Sequence, residues 1–127
     1  MTDQYVPGTC NIGPAEIAIR RRVGHAGLVV TAALATALLR SDLRPPWRLT
    51  LAVPAAGAAS GYLQARRRFC ANFGFRGVYN FDARGHEQRV MVDQALAADR
   101  RRALQITAAS AAIGLGVALG AMLVPSR

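Results

Sequence analysis

Apolar residues in this chain gather into three blocks, residues 23–39, 49–65 and 103–124, separated by stretches rich in arginine. Runs within the blocks, such as LVVTAALATALL and ITAASAAIGLGVALGAMLV, lack the polar face at a 3.6-residue period that a helix on a water-soluble protein shows. Their polar members are Thr and Ser, whose hydroxyls bond back to their own helix. A helix that is apolar all round is buried in a large protein or in lipid, and 127 residues are too few to bury three of them in water. Each block approaches the about 20 residues that cross a hydrocarbon core as a helix. The first two are short and span it with their flanking arginines snorkelling. The pattern predicts an all-α integral membrane protein, one membrane domain with three transmembrane helices, the first two a hairpin. The first block begins after residue 22, so no cleavable signal peptide is expected.

The connecting stretches refine this. In residues 1–22, Pro7-Gly8 is a turn dipeptide. Pro14 suits the first position of a helix, and Glu16 its first turn. The helix started there either continues into the first block or kinks at Gly24. Residues 40–48, RSDLRPPWR, read as a tight turn, because Pro45-Pro46 does not continue a helix and Trp47 belongs at a membrane interface. Pro54 is expected to bend the second block. Gly57 with Gly61, and Gly116 with Gly120, stand four apart, a spacing that lets helices approach closely in lipid. It predicts packing of the second block on the third through these faces. Residues 66–102 divide in two. Residues 69–85, rich in glycine and aromatics, read as irregular or re-entrant. From His86 an amphipathic helix is expected, with Val90, Val92 or Met91, Leu96 and Ala97 on one side, leading into the third block. Asp99 is expected to pair locally with the adjacent Arg100, Arg101 and Arg102 at an exposed position.

Charge sets an orientation. All sixteen basic residues are arginine, and the net charge is +9. With three spans, twelve arginines fall on the side of the N-terminus and the 66–102 loop, against Arg40, Arg44, Arg48 and Arg127 on the other. The positive-inside rule then puts the N-terminus and the loop in the cytoplasm and the C-terminus outside, in a bacterial inner membrane. The arginines cluster at the ends of the blocks, where topology alone places them, so a nucleic-acid partner is not expected. The expected partners are anionic lipid headgroups, and a membrane-protein partner or a second copy. The surface for them is a basic, aromatic cytoplasmic cap carrying Arg20, Arg21, Arg22, Arg66, Arg67, Arg68, Phe69, Phe73, Arg76, Tyr79 and Phe81. Its rings either line the headgroup level as a belt or stack under guanidinium groups.

Candidate chemistry is sparse. The hairpin carries Cys10 and Cys70 to the same membrane face. They are small part-buried side chains, or a disulfide, which a reducing cytoplasm disfavours, or, joined by His25 or His86, a metal or redox site suited to zinc or another soft metal. No CxxC or HxxxH spacing supports the last. The carboxylates Asp3, Glu16, Asp42, Asp82, Glu87, Asp93 and Asp99 all lie outside the apolar blocks, so the usual sign of an ion pathway is missing. No catalytic constellation or nucleotide fingerprint is present. The expectation is a non-enzymatic accessory or interaction protein without a cofactor. The alternatives are a thiol-based metal or redox membrane protein using Cys10 and Cys70, and a small oligomeric transporter.

Two stretches, PGTCNIGPAEI and RRRFCANFGFRGVYNF, resemble a pattern in small uncharacterised bacterial three-span membrane proteins. There a PGTCNIG head precedes the first span and an FC…G…YNF segment follows the second. The matching residues are Pro7, Gly8, Cys10, Asn11, Ile12 and Gly13, then Phe69, Cys70, Gly74, Tyr79, Asn80 and Phe81. The resemblance implies the three-span layout and the proximity of the two cysteine segments, and no reaction.

Overall fold

The structure, a computed structural model, describes residues 4–83 and 85–125. Asp3, Arg84 and Arg127, which enter the readings of charge above, lie outside them. The fold is mostly helical. Helix α1 spans Pro14–Arg40, α2 Ala52–Arg67, α3 Ala71–Arg76 and α4 Asp93–Met122, and a 3₁₀ segment, Pro45–Leu51, precedes α2. Two strands of two residues each, β1 (Val78–Tyr79) and β2 (Gln88–Arg89), pair antiparallel with Val78 opposite Arg89. Helix α2 lies between α1 and α4 and packs on both.

Pro14 opens α1, where its missing N–H is not required. Glu16 follows in the first turn, and the helix runs unbroken through Gly24. The 3₁₀ segment absorbs Pro45 and Pro46 at its start and delivers the chain to α2. Pro54 therefore falls in the first turn of α2, where no N–H is missed and no bend is demanded. At the far end of α4, Arg48 is buried and its Nη1 donates to the carbonyls of Ala121 (2.8 Å) and Val124 (2.7 Å). A cation thus meets the negative end of the helix.

The region after α2 departs from the sequence expectation. Residues 71–76 form a short helix rather than irregular chain. It ends on Gly77, whose φ of +73° suits the left-handed closing position. A helix of this length is too short to display a period. The last helix starts at Asp93, not His86, because Gln88 and Arg89 are drawn into the hairpin and the N–H of Val90 donates to Gly77 O at 2.8 Å.

The buried seam of α4 is Ala95, Asp99, Ala103, Ile106, Ser110, Gly114 and Ala118. Its spacing of three or four keeps it on one face, and nearly all its members are small. The large side chains point the other way: Leu104, Ile113, Leu115, Val117 and Leu119 are exposed on α4, as are Val23, Leu28, Val29 and Val30 on α1. Small residues inside let the helix backbones approach closely. A Cβ on Gly61 of α2 would lie 2.5 Å from the backbone N of Gly24 on α1, so here only glycine fits. The α2–α4 contact is made at Gly114, against Ala52 and Ala56. The glycine spacing had pointed to Gly57, Gly116 and Gly120, but these have nothing within reach, and Gly61 faces α1 instead of α4. Spacing identifies a stripe but not which neighbour the stripe meets.

Two helices, α1 and α4, are long and apolar enough to cross a membrane. The second apolar block, residues 49–65, is divided between the 3₁₀ segment and the sixteen residues of α2.

Candidate functional site

Three arginine triplets mark one end of the bundle: residues 20–22, 66–68 and 100–102. Packing puts them at one level, since Gly61 touches the backbone of Arg20, and Arg67 shares a groove with Arg102. At that end the N-terminal segment, α3 and the β-hairpin pack on one another, a layer termed the cap.

The cap is built on buried polar side chains. Residues 6–10 make a tight turn, with the N–H groups of Thr9 and Cys10 donating to Val6 O at 3.0 and 2.9 Å. Gly8 has φ +69°, and a Cβ there would press on Ala98 of α4 at 3.2 Å, so both its conformation and its surroundings select glycine. That approach lets the Gly8 N–H donate to Asp99 Oδ1 (2.7 Å), while the Tyr5 hydroxyl donates to Oδ2 (2.5 Å). Arg102 Nε closes the contact on Gly8 O at 2.8 Å. Asp99 is wholly buried, at 0% exposure, which corrects the expectation of an exposed pair with its arginine neighbours. It lies on the α4 seam, and the N-terminal segment supplies the donors that a buried carboxylate needs. Burial, then the hydrogen bond and charge of Asp99, raise the Tyr5 pKa well above its ordinary value of 10.0.

A second junction joins the two cysteine segments, through Asn11 rather than through sulfur. The Asn11 side chain accepts from Cys70 N (2.7 Å) and donates to Cys70 O (3.1 Å), acting as a strand would. Its backbone N–H donates to Arg68 O, and its carbonyl accepts from Asn80 N. Asn80, also buried, donates to Glu16 Oε1 (3.3 Å) and Ala83 O (3.0 Å) and accepts from Asp82 N. Glu16 pairs with Arg20, whose Nη2 donates to Cys70 Sγ at 2.7 Å. Burial opposes the Arg20 charge, yet its pKa is raised, because Cys70 and Glu16 both favour the guanidinium.

The two cysteines are not joined in a disulfide. Cys10 Sγ approaches Ile12 O at 3.8 Å, whereas Cys70 packs with Ile12, Phe73 and Val78. The histidines are elsewhere. His25 is exposed on α1, its Nδ1 2.6 Å from the Tyr62 hydroxyl, and His86 is exposed before β2. Among the described residues no three His, Cys, Asp or Glu side chains gather as a metal would require.

The aromatic residues divide. Phe69 is fully buried with Leu63, Ala103 and Ile106. It follows the closing residue of α2, and its N–H returns to Gln64 O at 3.1 Å. Phe73 is buried beneath two guanidiniums, Arg20 at 5.4 Å and Arg76 at 5.7 Å from its centroid. Arg76 also pairs with Glu87. Tyr79 stacks on Tyr5 at 4.6 Å and leans on Phe81 at 6.1 Å. Arg21, Arg22, Arg66, Arg67 and Arg68 are exposed.

The buried Asn11, Asn80, Glu16 and Asp99 were not singled out as site residues from the sequence. The available signal for the two asparagines was their place inside the TCNIG and VYNF stretches. Compared with known proteins, the chain matches no family model, no curated protein and no solved structure.

Proposed function

We propose that this protein is a small integral membrane protein that crosses the bilayer three times and uses its arginine-ringed cap as a docking surface, an accessory component rather than an enzyme. The observation that carries the membrane reading is the outward direction of its large apolar side chains. Only 11% of the apolar window of α1 and 28% of that of α4 is buried, whereas the core helix of a water-soluble protein is mostly buried. Exposed apolar surface on this scale calls for a covering phase, and lipid fits the seam of small residues inside. Helix α2 is about 24 Å long at 1.5 Å per residue. The 3₁₀ segment adds about 14 Å at 2.0 Å per residue, and together they exceed a hydrocarbon core of about 30 Å. The arginine triplets favour a cytoplasmic cap. Arg48, buried on the end of α4, is removed from the lipid-facing charge of the opposite end, which sharpens the contrast.

The accessory role rests on how the cap uses its polar groups. Asn11, Asn80, Glu16 and Asp99 bond to one another's segments and hold the cap together. Arginines, Phe75, Met91 and Val92 are left on the outside. Extraction of membranes with alkaline carbonate tests the membrane reading: the protein is expected to stay in the pellet, and its release would overturn it. A photo-cross-linker placed at Met91 is expected to capture one membrane-protein partner that a cross-linker at Leu119 does not. Equal capture at both positions, or none at Met91, would overturn the docking role.

A further inference from the structure

We propose that the groove between the first turns of α1 and the closing end of α2 holds the phosphate of an anionic phospholipid headgroup. The groove has a volume of about 400 Å³. Arg21, Arg66 and Arg68 line it, Ile17, Ala18 and Ala65 form an apolar floor, and among the described residues no carboxylate lines it. The helices are antiparallel, so the start of one and the end of the other bring these arginines to one place.

Arg20 is committed to Glu16 and Cys70, and Arg76 to Glu87. Among the described residues neither Arg21 nor Arg66 meets a carboxylate. Arg68 adds a second observation. It closes α2 at φ +53°, a left-handed conformation usually given to glycine, and it is the one non-glycine residue with positive φ among those described. Arg68 thus lines the groove from a backbone conformation that favours glycine.

The guanidiniums of Arg21 and Arg66 recognise a phosphate through forked, charge-assisted hydrogen bonds. The apolar floor is of no use to a free phosphate ion but suits the glycerol and first methylenes of a lipid. The level of the groove agrees: Arg21 stands two residues before the first apolar block, and Arg66 directly follows the second. The inference rests on the membrane reading above.

The test is calorimetric titration of the full chain in neutral detergent with dihexanoyl phosphatidylglycerol, dihexanoyl phosphatidylcholine and inorganic phosphate. The anionic lipid is expected to bind about tenfold or more tightly than either of the others, as charge-assisted hydrogen bonds imply. The double variant Arg21→Gln/Arg66→Gln is expected to lose about tenfold of that affinity. Both residues are exposed, so the variant should fold, which its unchanged thermal unfolding would verify. Arg40→Gln/Arg44→Gln, with the same charge change at the opposite end, should leave affinity unaltered. Equal affinity for the two lipids, or equal losses in both double variants, would overturn the proposal. Inorganic phosphate binding as tightly as the anionic lipid would overturn its assignment to a lipid. A chain that resists carbonate but shows no preference sinks this inference alone, whereas a chain released by carbonate sinks the membrane reading with it.

Discussion

Replacing Asp99 by alanine should unfasten the first residues of the chain while leaving the next few in place. The carboxylate takes two charge-assisted hydrogen bonds, from Tyr5 OH at 2.5 Å and Gly8 N–H at 2.7 Å. Bonds to a charged group contribute about 1.5–3 kcal/mol each. Tyr5 is only half-buried and regains water when it loses its partner, so the lower end applies, about 3 kcal/mol for the two. With a factor of ten per about 1.4 kcal/mol, the opening equilibrium of this segment shifts by about 100-fold. Hydrogen exchange read by mass spectrometry measures it directly. The amides of Gly8, Thr9 and Cys10 should exchange about 100-fold faster in Asp99→Ala. Those of Asn11 and Gly13, which donate to Arg68 O and Asn80 O, should keep their wild-type protection. Asp99→Asn retains an acceptor for Gly8 and offers Tyr5 a donor, so it should fall between. In a cycle with Tyr5→Phe, the double variant should cost clearly less than the sum of the singles, because both remove the same bond. Unchanged exchange of residues 8–10 in Asp99→Ala would refute the reasoning, and so would uniform acceleration across the whole cap.

The same bond makes the cap sensitive to alkali. The folded pKa of Tyr5 is raised above its unfolded value of 10.0, so its contribution is complete below pH 10 and is lost as pH climbs toward the folded value. Exchange of residues 8–10 should accelerate above pH 10 beyond the intrinsic chemical rate, and Tyr5→Phe should abolish that excess. Gly61→Ala forces a methyl to 2.5 Å from Gly24 N and should destabilise the protein by about 1–3 kcal/mol in thermal unfolding, whereas Gly57→Ala, with open space, should be neutral or stabilise it by up to about 1 kcal/mol; equal effects would refute the packing described. Arg48→Ala removes the donor to Ala121 O and Val124 O and should cost about 1.5–3 kcal/mol, read as faster exchange in the last turn of α4.

Much of the architecture was legible because it rests on local rules. Pro14 with Glu16 marked the start of α1, and the uncharged blocks marked the helices. Arginine triplets at the block ends marked the end of the bundle where the N-terminal segment docks. What could not be read depended on residues far apart in sequence. Asp99 looked exposed beside three arginines, and only the docking of Tyr5 and Gly8, more than ninety positions away, makes its burial tolerable. Asn11 and Cys70 are 59 apart. The cysteines drew notice as reactive groups, yet the contact between their segments is an amide on a backbone. Among the glycines, the close approaches fall at Gly24, read as a possible kink, and at Gly114 beside the pair four apart, because close approach depends on which face a neighbour occupies. The groove at Arg21 and Arg66 needed both helix ends in register before it existed at all.

The way the N-terminal segment is tied down also sets an order of events during synthesis. Its partners, Arg68, Cys70, Asn80 and Asp99, are all made later than the segment itself. Asn11 and Gly13 gain their partners once position 80 has been made, whereas Tyr5 and Gly8 wait for position 99. The segment is therefore secured in two steps, and its second step reports that the start of α4 has reached its place.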